Sequence, residues 1–131
     1  MDPVNLAKAG TEHAHQCALF CWAANNREKW PELEWMFAIP NGGERNKVVA
    51  SRLKAEGVKS GVSDIMLPVA RRGYLGFFIE MKEPKRGRES EKQAEFGQFV
   101  KNNGYLYIVG YGWESAAQYI AWYMGNDDGT Y

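Results

Sequence analysis

Ser63-Asp64-Ile65-Met66-Leu67-Pro68-Val69-Ala70-Arg71-Arg72-Gly73-Tyr74-Leu75-Gly76-Phe77-Phe78-Ile79-Glu80-Met81-Lys82 holds two apolar runs parted by Arg71-Arg72-Gly73. Runs of this length, separated by a short loop with glycine in last place, predict strands over 64–69 and 74–82 joined as an antiparallel hairpin. Pairing symmetric about Arg72 sets Asp64 opposite Glu80, and opposed residues of an antiparallel pair share a face. Lys82 joins that face through the period of two. A bulge would shift the register by one.

The chemistry of this corner follows from its residue types. Two carboxylates offer oxygen ligands to a hard divalent cation, and a lysine beside them stabilises the charge that develops when water attacks a phosphodiester. Taken singly, each residue has a plainer reading. Asp64 could be a turn acid at a strand start, and Glu80 with Lys82 a solvated pair on an edge strand.

Working outward, Thr11 is placed to cap a helix over 11–25, preceded by a loose lead-in over 1–10. Trp35-Met36-Phe37-Ala38-Ile39 reads as a strand stopped by Pro40-Asn41-Gly42-Gly43, and a basic helix over 44–56 ends at Gly57. Beyond the hairpin, Ser90-x-x-Gln93 resembles a capping box opening a helix that runs to Asn103, with Phe96, Phe99 and Val100 as its apolar stripe. A strand over 105–111 and a closing helix over 115–124, with Ala116, Tyr119, Ile120 and Tyr123 inward, precede a frayed tail over 125–131. The five tryptophans, Trp22, Trp30, Trp35, Trp113 and Trp122, read as core or interface aromatics rather than base-stacking platforms.

At 131 residues the chain suits one domain with a real core, here about 11–124, and is short for two. Sixteen basic residues balance sixteen acidic ones, which argues against a non-specific DNA coater and leaves any nucleic-acid affinity to local placement. No apolar run approaches the roughly 20 residues of a membrane span, and the N-terminus lacks a signal-peptide pattern, so an intracellular protein with no membrane partner is expected. Cys17 and Cys21 lie four apart on the first helix, a poor disulfide geometry, and with His13 they fall short of a four-ligand zinc site.

The ordered set of segments resembles the PD-(D/E)xK nuclease superfamily, and within it the virus-type replication-repair nuclease (VRR-Nuc) family, whose stand-alone phage members are similar in length. The resemblance is carried by Ile39-Pro40-Asn41-Gly42-Gly43, Arg52-Leu53-Lys54-Ala55-Glu56-Gly57-Val58, Gly61-Val62-Ser63-Asp64-Ile65-Met66-Leu67-Pro68 and Ile79-Glu80-Met81-Lys82, followed by Gln93. It spans about 11–110. Ser63 stands where the superfamily has proline, one residue before the expected ligand.

The resemblance implies an α/β fold with a restriction-endonuclease-like core: a central mixed sheet flanked by helices in an αβαβββ-type order, with αβα after the catalytic hairpin. It implies Asp64, Glu80 and the Met81 carbonyl as metal ligands, Lys82 as the catalytic lysine, Glu12 as the helical acid completing the shell directly or through water, and Gln93 orienting Lys82 or a phosphate. Glu12 would otherwise serve the helix dipole, and Gln93 would be only half a capping box. The implied ion is magnesium, with manganese as substitute. The implied activity is in-line hydrolysis of DNA, structure-selective on branched or Holliday-junction-like substrates, by a homodimer in a phage or its bacterial host. A flap- or end-directed nuclease and a non-cleaving DNA-binding or assembly module are the alternatives. For DNA contacts, Asn41, Gly42, Gly43, Arg45 and Asn46 offer backbone amides at a helix start, Lys47, Arg52, Lys54 and Lys59 add charge, and Lys85, Arg86 and Arg88 follow the lysine. Any one of these could equally belong to an ordinary solvated basic face.

Overall fold

The structure, a computed structural model, describes residues 2–40 and 46–131. Its elements in order are α1 (Pro3–Leu6), a 3-10 turn (Ala7–Ala9), α2 (Glu12–Asn25), a second 3-10 turn (Pro31–Trp35), β1 (Phe37–Ala38), α3 (Lys47–Ala55), β2 (Ile65–Leu67), β3 (Phe77–Lys82), α4 (Glu91–Asn102), β4 (Leu106–Tyr111) and α5 (Trp113–Tyr123). The strands form one mixed sheet in the order β1-β2-β3-β4, antiparallel up to β3 and parallel between β3 and β4. This is the expected α/β arrangement, with two strands rather than three standing between α3 and α4.

The hairpin has the predicted register. Ile65 pairs with Ile79, Met66 with Phe78 and Leu67 with Phe77, all centred on Arg72. The turn itself is centred half a residue later, because Arg71 bridges Tyr74 and both residues between, Arg72 (φ 51°) and Gly73 (φ 86°), take left-handed backbone. Residues 68–70 on the first arm then number one more than residues 75–76 on the second, and that extra residue restores the symmetry about Arg72. Pro68, which cannot donate to a ladder, stands immediately after β2.

The sheet separates two surroundings. Phe77, Ile79 and Met81 of β3 are buried with Leu19 and Trp22 of α2 and Ala116 and Ile120 of α5 in one apolar cluster. The alternate residues turn toward α4, where Phe78 meets Phe96 edge to face at 5.2 Å and Glu80 meets Gln93. Gly97 lets α4 come close to β4, since a Cβ there would stand 2.5 Å from the Tyr107 ring.

Several expectations change. Residues 3–9 are helical rather than a loose lead-in: Asp2 caps Val4 at 2.9 Å, Pro3 opens the helix, and Leu6 and Ala7 pack on the core. The strand expected over 35–39 is reduced to Phe37–Ala38, because Pro31 starts a 3-10 turn that runs through Trp35. The α4 stripe runs through Phe96, Gly97 and Val100 and leaves Phe99 66% exposed; in α5, Tyr119 likewise faces out while Ala116, Ala117, Ile120 and Tyr123 face in. The tail is folded back, with the Tyr131 ring edge-on to Trp113 at 5.8 Å and Asp127 paired to Arg72 at 2.7 Å. Among the tryptophans, Trp22, Trp30 and Trp113 are buried, whereas Trp35 is 70% exposed and Trp122 lies under the Arg72 guanidinium. Among the described residues, no helix is long and apolar enough to cross a membrane.

Candidate active site

Asp64 is the residue just before β2, and its backbone carbonyl accepts from the Ile39 N–H at 2.7 Å. Its Oδ2 accepts from the Met81 N–H at 2.8 Å, which pins the carboxylate beside the end of β3. Continuing the hairpin register by one residue puts Glu80 directly across, as the symmetry about Arg72 predicts. Glu80 is 1% exposed. Its Oε2 accepts from the Gln93 amide at 3.2 Å and lies 4.0 Å from Lys82 Nζ, while its Oε1 is buried without a hydrogen-bond partner.

Gln93 makes the expected capping box, and its side chain meets Glu80 rather than Lys82, the partner expected for it. Its Oε1 accepts from the Ser90 N–H at 2.7 Å, and its own backbone N–H donates to Ser90 Oγ at 3.2 Å, completing a capping box on α4. With the amide oxygen engaged by the cap, the NH2 end is directed at Glu80. Glu12 arrives on the first turn of α2, which Thr11 fixes by capping Ala14 at 3.0 Å. One carboxylate oxygen from each of Glu12, Asp64 and Glu80 lies within 4.8 Å of the others.

Three acids this close, Glu80 buried and Glu12 and Asp64 half-buried, resist ionising together. Burial foremost pushes the Glu80 carboxyl up to about 9, reinforced by a hydrogen bond and charge repulsion from Asp64, against the opposing pull of Lys82. Glu12 is also raised, first by burial, with Lys82 opposing and Asp64 and Glu83 adding to it. The pull of Lys82 alone thus does not offset the burial and repulsion that oppose ionising these acids. The orphaned Glu80 Oε1 and an all-oxygen donor set fit a hard divalent cation such as magnesium or manganese. His13 and Cys17 touch at 3.6 Å, but no cluster of three potential ligands forms there among the described residues.

The wider set divides by position. Asn46 caps α3 through Val49 at 2.8 Å, while Lys59, Lys85, Arg86 and Arg88 are exposed. Asn41, Gly42, Gly43 and Arg45 lie outside the described residues. Sequence reading passed over Gly87, where a Cβ would stand 2.5 Å from Lys82 Cβ, so the loop after β3 folds against the lysine only with glycine there. It also passed over Tyr107, whose hydroxyl donates to Glu89 beside the α4 cap. A Gly-containing basic loop was visible; what it touches was not.

The family model for the VRR-NUC domain matches residues 9–113. No curated protein matches the chain. Among solved structures, one titled "VRR_NUC domain protein" is 26% identical, covers 92% of this chain and 94% of its own, and superposes with a TM-score of 0.75. The matched span contains Glu12, Asp64, Glu80, Lys82 and Gln93, and the chain belongs to the VRR-NUC domain family of nucleases.

Proposed function

We propose that this protein is a magnesium-dependent DNA endonuclease, with manganese able to substitute, that acts on branched DNA as a homodimer. The observation that carries the metal-dependent reading is the convergence of Glu12, Asp64 and Glu80 within 4.8 Å, beside a lysine that is itself only 9% exposed. A binding module gains nothing from holding desolvated acids against one another, since their burial costs stability.

In this reading, Glu12, Asp64, Glu80 and the Met81 carbonyl would hold the ion. The Met81 N–H points at Asp64, and in an extended strand the N–H and C=O of one residue face the same neighbour, which supports the carbonyl's part. A bound divalent ion would polarise the phosphoryl oxygen and neutralise the leaving group. Lys82 directs its ammonium at the attacking water and at the charge developing on phosphorus. Gln93 holds Glu80 Oε2 and so leaves Oε1 free as a ligand. Preference for branched substrates rests on likeness to stand-alone family members. The homodimer is supported by Trp35 and Phe37, both exposed beside or on the edge strand β1.

The test is cleavage of labelled four-way junction, flap, linear duplex and single strand, with and without magnesium or manganese. Junction cleavage that requires the ion, and falls about a hundredfold or more in Glu80→Ala and Lys82→Ala, is expected. Absence of cleavage on all four substrates, or undiminished cleavage by both variants, overturns the reading.

A further inference from the structure

An open groove of about 450 Å³ runs beside the acids, lined by Ala9, Gly10, Thr11, His15, Glu83, Pro84, Lys85 and Arg86. Its walls are chain neighbours of the site: Thr11 immediately precedes Glu12 and Glu83 immediately follows Lys82. Consecutive Cα atoms are about 3.8 Å apart, so the backbone that carries Glu12 and Lys82 runs directly into the groove's walls.

His15 supplies the groove's buried polar group. It is 7% exposed, and its Nδ1 accepts from the Trp113 N–H at 3.0 Å. That N–H belongs to the first turn of α5, whose N-cap is Gly112 and offers no side chain, so His15 caps α5 from another helix. An Nδ1 that accepts is unprotonated, which puts the ring proton on Nε2. Nε2 has no protein hydrogen-bond partner among the described residues, in a ring that lines the groove. The other polar groups are the Thr11 hydroxyl, whose oxygen takes the Ala14 N–H and leaves its proton to donate, and the Lys85 and Arg86 cations, with Glu83 the one acid. Donors and cations outnumber the acceptor.

We infer that this groove binds the phosphodiester backbone of the strand being cut, one or two phosphates from the reacting one, and that the Nε2–H of His15 donates to a phosphate oxygen there. This rests on the nuclease reading and adds a positioning residue and a subsite to it. His15 touches neither the reacting atoms nor the ion; it aligns the strand so that the next phosphate meets Lys82.

Asparagine at 15 separates the two roles of the ring, because its amide oxygen can take the place of Nδ1 toward Trp113 but has no atom reaching as far as Nε2. His15→Asn should melt within a few degrees of the parent, bind DNA about tenfold more weakly and raise KM with kcat little changed. Because the ring is neutral, the dependence of affinity on salt should keep its slope, whereas Lys85→Ala should lower that slope by about one. DNA carrying one uncharged methylphosphonate at successive positions near the cut then gives the decisive reading. One position should weaken binding of the parent protein and have little further effect on His15→Asn. If the parent cuts DNA and His15→Asn, correctly folded, matches it at every position, the groove is not a subsite and the nuclease reading stands. If the parent neither binds nor cuts any DNA, both fall.

Discussion

Glu80 concentrates the tension of the site in one side chain. Its carboxyl ionises near 4.5 when the chain is unfolded and is held protonated up to about 9 when folded without a cation. Between those values unfolding releases a proton, so this contribution to stability is complete below about pH 4.5 and is lost as pH rises through 9. Cation-free Glu80→Gln should therefore melt several degrees above the parent at pH 8, with the gap closing near pH 5. Magnesium should raise the melting temperature of the parent and do little for the variant, since a ligand that binds only the folded state stabilises it; calorimetry at the two pH values checks both. Ser63 is a second residue out of balance. Its hydroxyl is fully buried next to Asp64 without a partner, and Ser63→Ala should gain about 1 kcal/mol in denaturant unfolding.

At the scale of the element, α4 shows how a local signal and a catalytic one coincide. The capping box was legible because Ser90-x-x-Gln93 depends only on the chain's own spacing. That the other end of the same amide meets Glu80 depends on where α4 lies over β3. Gln93→Glu keeps an acceptor for the Ser90 N–H but turns a carboxylate toward Glu80. It should preserve helicity, lower cation-free stability at pH 8 and slow cleavage at least tenfold, measured by circular dichroism and single-turnover kinetics. Gly97 lies on the same helix as an ordinary weak helix former, and its purpose appears only against Tyr107. Gly97→Ala should cost about 1–3 kcal/mol, read by urea unfolding, since the ring has no room for a Cβ. The hairpin carries a related lesson. Its two-residue turn is centred past Arg72, and the register that joins Asp64 to Glu80 comes from the extra residue over 68–70.

For the whole molecule, β1 is an edge strand with Phe37 exposed on it and Trp35 exposed beside it, a combination that invites a second copy. Sedimentation should give twice the 14.9 kDa chain mass, and Trp35→Glu should shift it toward the single chain. The helices from Thr11 and Ser90, the order of the elements and the facing of Asp64 and Glu80 were all legible in the chain itself. Each rests on caps, periodicity or turn spacing, which act over a few residues. Legibility failed where a residue's role is set by distant partners. Pro3 and Asp2 start a helix whose Leu6 and Ala7 pack on the core, Phe99 and Tyr119 fall just off the buried stripes, and Tyr131 finds Trp113. His15, unremarkable on an apolar helix, becomes a cap for α5 and the polar floor of a groove through contact with a residue 98 positions away. Sequence alone thus determined the helices opened by Thr11 and Ser90, the hairpin and which acids face each other, because those follow from caps, periodicity and turn spacing. Only the tertiary structure decided how deeply Glu80 is desolvated, which end of Gln93 it meets and what lies beside Lys82, because burial and close approach are made by segments far apart in the chain.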